Sequence, residues 1–281
     1  MTKIQKILCA LDFSPAAKNA LRYALQLADA YKAQLHLLHV LEPITDAMLE
    51  IPHAVPAVNR KLLEETRKQL QQLAQDVLTD TGEQLKNKVE ISTEVELGPI
   101  GLMVNEIAQQ EADLIIVGTR GEEGKPWWST SVAKDIIDHP SIPVLVVPAN
   151  ATYAPFEHIT FATDLQQADV LHLLRLRDFL APMEPEIRCL HIVAQENEKT
   201  QMSFTEMTDV FNNQLENVSV MFHQSEEDNT TEALEGFNLI YHIDLQVLVR
   251  PRRNFFQDLF HRSQSKETAG YTHIPLLVWP G

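Results

Sequence analysis

The stretch ILCALDF, residues 7–13, is answered by ITFATDL, residues 159–165. Each is a short apolar run closed by an acidic side chain, Asp12 in the first and Asp164 in the second. In the same register His191-Ile192 answers His39-Val40. In a second, shorter register Asp244-Leu245 answers Asp113-Leu114, and IPLLV at 274–278 answers IPVLV at 142–146. Four apolar segments matching in order point to a duplication. The chain reads as two copies of one unit, residues 1–149 and 150–281. The change of register means that the second copy is shortened between its second and fourth strands. The long helix after strand two is the natural place for the loss.

Within the first copy the apolar pattern alternates between two periods. Ile7–Leu11 reads as a strand. Ser14-Pro15 then suits a helix N-cap and first helical position. Ala17, Leu21, Ala24, Leu25 and Ala28 follow at helical spacing. Leu35–Val40 is a second strand, and residues 41–58 read as Pro-rich and irregular. Lys61–Leu78 is a long helix. Val89–Leu97 alternates like an exposed or edge strand. Ile100–Gln110 is a helix, Leu114–Val117 a fully apolar strand, Ser131–Asp138 a helix, and Val144–Val147 a last strand. Continuous apolar strands alternating with helices imply a parallel sheet covered on both faces. The expected fold is therefore α/β, two Rossmann-like domains, each a five-stranded parallel sheet of order 3-2-1-4-5.

Composition narrows the function classes. The 281 residues are 44% hydrophobic and 22% charged, an ordinary globular balance. A net charge of -16 argues against nucleic acid or an anionic membrane as partner, because both are themselves negative. Cys9 and Cys189 are the 2 cysteines, each inside an apolar run. They read as small buried residues of a reducing compartment. No stretch has the length of a membrane span, and the N-terminal apolar run is too short for a signal peptide. The expectation is a cytoplasmic protein.

In an open parallel sheet, ligands bind at the carboxyl ends of strands where the strand order reverses. Here that point lies between strands one and four. It brings the Ala10-Leu11-Asp12 turn to face VGTRGEEGKPWWSTSV, residues 117–132. Gly118 and Gly121 allow close backbone approach and positive φ, so that amide N–H groups can face a phosphate. Thr130 and Ser131 add hydroxyls at the start of a helix, whose N-terminus favours an anion. Asp12 repels phosphate and so belongs at the base or ribose end.

These segments resemble the universal stress protein family over the whole chain, as a tandem of two such domains with an adenine nucleotide alpha hydrolase-like fold. The resemblance is carried by ALDFS at 10–14, HV at 39–40, ADLIIVGTRG at 112–121 and SVAKDIIDHPSIPVLVVP at 131–148. It implies ATP or a related adenine nucleotide as ligand, with or without magnesium. It places Ala10, Asp12 and Val40 around adenine, and Gly118, Gly121, Thr130, Ser131 and Val132 around ribose and phosphates. It also implies an internal pseudo-dimer, with PVLVVP and PLLVWP as the strands that pair, and leaves further homodimerisation open. Thr130 stands where the family's pattern has a glycine, and the loop 122–129 is one residue shorter. Glu122, Glu123, Trp127 and Trp128 are further departures.

Other features carry less. Gly124-Lys125 does not make a P-loop, because Pro126 stands where a magnesium-binding hydroxyl belongs. The two tryptophans read as packing rather than base stacking. In the second copy Val249 and Arg252 replace the two glycines, so the nucleotide site is expected to be lost there. Arg250, Arg252, Arg253 and Arg262 read as a solvated face around a short helix, with an anion site as the rival. The histidines, His242 among them, form no metal-ligand pattern. Ser14 is better explained as an N-cap than as a nucleophile. Two functions follow: a stress-response sensor or regulator binding an adenine nucleotide in the first domain, with slow or no hydrolysis, or a nucleotide-free stress-associated module that binds an unknown protein partner.

Overall fold

The computed structural model describes residues 4–45, 54–119, 136–137, 140–163, 166–192, 206, 209, 220–225, 230–249 and 274–280. They divide into two compact units, with the break between Tyr153 and Ala154.

The first unit holds strands β1 (Lys6–Ala10), β2 (Gln34–Leu41), β3 (Ile91–Leu97), β4 (Leu114–Thr119) and β5 (Val144–Pro148). All pair in parallel, in the order β3-β2-β1-β4-β5. Strands β1 and β4 are almost wholly buried, as the central strands of a two-sided layer must be. Strand β3 lies at the edge and is mostly half-buried, as its alternation suggests.

Helix α1 (Pro15–Tyr31) opens where its sequence says it should. Ser14 Oγ accepts from the Ala17 amide at 3.1 Å, and Pro15 takes the first turn. Its buried face includes Ala17, Ala20, Ala24 and Ala28, whose small side chains let the helix lie close to the sheet. Helix α2 (Val55–Thr81) begins earlier than its polar pattern suggests, so residues 55–58 are helical rather than irregular. Pro56 sits in the first turn, where a missing N–H costs nothing. Helix α3 is Ile100–Glu111. Ile136 and Ile137 are helical and buried, within the helix expected over 131–138.

The second unit repeats the topology. Strands β6 (His158–Ala162), β7 (Glu186–Ile192), β8 (Val220–Ser225), β9 (Leu245–Val249) and β10 (Leu276–Trp279) are parallel, in the order β8-β7-β6-β9-β10. Helices α4 (Gln167–Leu180) and α5 (Thr230–Ile240) take the places of α1 and α3. The connection from second to third strand spans 42–90 in the first unit but only 193–219 in the second. The loss therefore falls where the long helix α2 stands in the first copy.

Polar details repeat as well as strands. Asp113 Oδ2 accepts from the amides of Gln5 and Lys6 at 2.8 and 3.0 Å. Asp244 Oδ2 accepts from those of Glu157 and His158 at 3.0 and 2.9 Å. Each aspartate thus pins the start of the first strand to the start of the fourth through charge-assisted hydrogen bonds. Left-handed Lys32 (φ 54) and Glu184 (φ 48) turn the chain between the first helix and second strand of each unit.

Candidate functional site

The chain leaves β1 through a tight turn that needs three side chains to hold it. The Leu11 amide still bonds the Leu38 carbonyl at 2.9 Å, so the ladder runs one residue past the strand. Asp12 then turns outward, and its Oδ1 accepts from the Ser14 amide at 3.0 Å. Phe13, between them, adopts a left-handed φ of 60°. Such a conformation costs an L-residue about 1–2 kcal/mol, so something must hold it. Its ring packs against that of His39, tilted by 54° with the centroids 4.6 Å apart. The His39 Nδ1–H in turn donates to the Leu11 carbonyl at 2.6 Å, which fixes the imidazole tautomer. The second unit keeps this last contact, with His191 Nδ1 3.0 Å from the Thr163 carbonyl.

Beside this turn lies a crevice at the carboxyl ends of β1, β2 and β4. Ala10, Asp12, Val40 and Gly118, four of the residues expected around a nucleotide, line it together. Val117, Ile100 and Val104 complete an apolar wall from β4 and α3. Val40 is 5% exposed, whereas Asp12 is exposed at the rim. The arrangement suits a flat, apolar group with hydrogen-bonding edges: an oily slot with one carboxylate at its mouth. Strands β1 and β4 are direct neighbours there, Ala10 opposite Val117, as a reversal of strand order requires.

Gly118 plays a different part from the one its motif suggests. It lies inside β4, and its φ is outside the left-handed region. A Cβ at this position would meet the Ala16 carbonyl oxygen at 2.5 Å and the Ala17 nitrogen at 2.9 Å. The glycine is needed because the first turn of α1 crosses directly over β4. Its proximity to the crevice is real, but its chemistry there is to let helix and strand touch. Gly121, Thr130, Ser131 and Val132 lie outside the described residues. So do Asp164, the Trp127-Trp128 pair and the four arginines at 250, 252, 253 and 262.

Ile100 and Val104 were not singled out from the sequence. The helical pattern of α3 marks them as core, and only the fold shows which end of that core opens. Phe13 and His39 likewise gain their roles from a contact that spacing alone does not reveal.

Among the described residues, no reactive group lines the crevice besides Asp12. Cys9 and Cys189 are free and buried, and burial pushes both thiols up, with the Asp169 carboxylate adding to the effect at Cys189. They stay protonated and unreactive. Ser14 is committed to its cap. Among the described residues no group of three or more His, Cys, Asp and Glu side chains gathers to hold a metal. Nor is any described helix long and apolar enough to cross a membrane.

The model of the universal stress protein family matches residues 3–148. Among solved structures, a universal stress protein from Archaeoglobus fulgidus DSM 4304 superposes with a TM-score of 0.67 at 15% identity, over 98% of each chain. A functionally unknown protein from Pseudomonas aeruginosa PAO1 has a TM-score of 0.54 at 14% identity, over 99% of this chain and 92% of its own. A putative universal stress protein from Pseudomonas aeruginosa UCBPP-PA14 has the same score and identity, over 99% of this chain and 93% of its own. These likenesses extend the two-unit fold across the full chain. A search of curated proteins gave no match.

Proposed function

The chain belongs to the universal stress protein family, and from that premise we propose that its first half binds ATP or another adenine nucleotide and serves as a stress-response sensor or regulator. The observation that carries this reading is the convergence of Ala10, Asp12, Val40 and Gly118 on one apolar crevice at the switch point of the sheet. Adenine suits the slot between Val40 and Ala10, where an apolar floor meets backbone groups at the strand ends. Asp12 suits the ribose or base edge, as a carboxylate acceptor that phosphate would avoid. The segment 120–132 would take the phosphates, through Gly121, Thr130, Ser131 and Val132, with or without magnesium.

Turnover is expected to be slow or nil. Among the described residues Asp12 is the one ionisable side chain lining the crevice, and the turn beside it already uses one of its oxygens. A positioned base with a second orienting group is what efficient hydrolysis needs. In the second half Val249 stands where Gly118 does in the first, and that half is expected to bind no nucleotide.

Calorimetric titration of the full chain with ATP and magnesium tests the reading. One site per chain is expected, abolished by Val40→Glu, which puts a charge in the slot. Absence of heat and of saturable binding in the native chain would refute it.

A further inference from the structure

The two halves share a strand order, but one core pair changes its chemistry between them. In the first half Leu8 of β1 pairs with Ile115 of β4, and both are fully buried. At the matching pair in the second half stand Thr160 and Gln246, also buried. Asn238 of α5 links them: Thr160 Oγ1 donates to Asn238 Oδ1, and Asn238 Nδ2 donates to Gln246 Oε1, both at 2.9 Å. One strand further out, Arg188 takes the place of His36. At the edge strand, His223 beside Leu190 takes the place of Glu94 beside Leu38. In the first half the central pair, Leu8 and Ile115, is apolar, and polar groups begin only at the outer strands, where His36 bonds Ser92 and Glu94. The second half has added a polar layer to a core position, where unpaired polar groups are costly.

His223 is the member whose charge can change near neutral pH. Its ring lies against Phe237 and Tyr241 of α5, each centroid 4.9 Å away. Its Nε2 is fully buried and finds no hydrogen-bond partner among the described residues. Among the described residues, the charged and titratable groups facing it are Arg188 and Glu186 from β7 and Tyr241 from α5. Strand β8 itself, VMFHQS, brings no other. Arg188 lies over the Tyr241 ring at 4.4 Å. Glu186 is already shared, 2.7 Å from Arg188 Nη2 and 3.5 Å from His158 Nδ1. A proton on His223 would therefore set a second cation beside Arg188 and on a buried nitrogen without a partner among the described residues, while Glu186 already pairs with Arg188.

From this cluster we infer that His223 is an acid-sensitive latch: neutral, it holds β8 against α5, and protonated, it releases that edge of the second half. Burial, and then Arg188, hold its imidazole below the ordinary 6.5, with Glu186 opposing. The sign follows from linkage. Below 6.5 the opened form takes up a proton that the closed form resists, so closure weakens as pH falls from 6.5 toward the lowered value. Each unit of separation between the two values is worth about tenfold in the closing equilibrium.

Native-state hydrogen exchange on the full chain tests this, at pH 7.5 and pH 5.5 and corrected for intrinsic exchange. Amides of 220–225 and 230–240 are expected to lose protection at the lower pH relative to those of β1 and β2, by up to about tenfold, the limit that an opened-state value of 6.5 sets at pH 5.5. His223→Phe, which keeps the ring packing, is expected to abolish the difference. Equal protection at both values, or the same loss in His223→Phe, would overturn the inference. NMR titration of His223 in the native chain decides the matter should that variant fail to fold. A midpoint below 6.5 supports the latch, and one at or above 6.5 overturns it.

Discussion

The carbonyl oxygen of Ala16 lies 2.5 Å from where a Cβ on Gly118 would stand. The neighbour is backbone at the start of a helix, so it cannot swing aside as a long side chain would. Gly118→Ala is therefore expected to lower stability by about 1–3 kcal/mol through overpacking, and Gly118→Val by more. Thermal unfolding measures this directly. If Gly118→Ala melts like the native chain, the close approach of α1 to β4 is not as described. The same geometry makes glycine variants poor probes of ligand binding, since they disturb the wall of the crevice itself.

Asp12 separates the turn from the ligand more cleanly. Its Oδ1 accepts from the Ser14 amide, and an asparagine oxygen can do the same. Asp12→Asn is expected to keep the melting temperature of the native chain, while Asp12→Ala loses about 0.5–1.5 kcal/mol with the hydrogen bond. If the carboxylate also holds a nucleotide, both variants bind ATP more weakly. Unfolding curves and ATP titrations of the two proteins check the pair of effects. Full ATP affinity in Asp12→Asn would remove the charge from the proposed site.

Asp29 gives the first unit an acid limit. It is buried, and it accepts from the Lys86 amide at 2.9 Å, the Asn87 amide at 2.6 Å and Asn87 Nδ2 at 2.9 Å. Burial alone would raise its carboxyl. The hydrogen bonds from Lys86 and Asn87, with the Lys86 charge, outweigh that and hold it below the ordinary 3.8. A lowered carboxylate contributes stability above its unfolded value, and the contribution is lost as pH falls through the folded one. Acid unfolding followed from pH 5 downward is expected to steepen below about 3.9, and Asp29→Asn to flatten that part of the curve. An unchanged curve would contradict the role given to the clamp.

Asp113 and Asp244 make a matched experiment inside one molecule. Each accepts two amides at the start of the first strand of its unit. Asp113→Ala and Asp244→Ala are each expected to cost about 1–3 kcal/mol by leaving amides unpaired. Exchange at Gln5 and Lys6, or at Glu157 and His158, reports which strand start has come loose. Loosening at the wrong pair would contradict the repeat.

The repeat itself was open to reading because its matches lie on features that physics fixes: apolar central strands, an acidic residue closing β1, an aspartate before β4. The strand order and the N-cap at Ser14 follow from the same pattern. Gly118 shows where such reading stops. Its motif suggested ligand approach, but its need comes from Ala16, a residue remote in sequence that the fold brings against it. The start of α2 was hidden by Pro56, which breaks a pattern inside a helix but suits a first turn. His39 and Phe13 were invisible as a pair, because a ring contact between a turn and a strand leaves no periodic trace.

The central claim, that the first half holds an adenine nucleotide, is tested most directly by the nucleotide content of freshly purified chain. The protein is denatured and removed, and the supernatant is analysed by anion exchange and mass spectrometry. The account predicts adenine nucleotide approaching one per chain, or filling to one when ATP and magnesium are added. No nucleotide under either condition would contradict it, and two per chain would contradict the loss of the site in the second half.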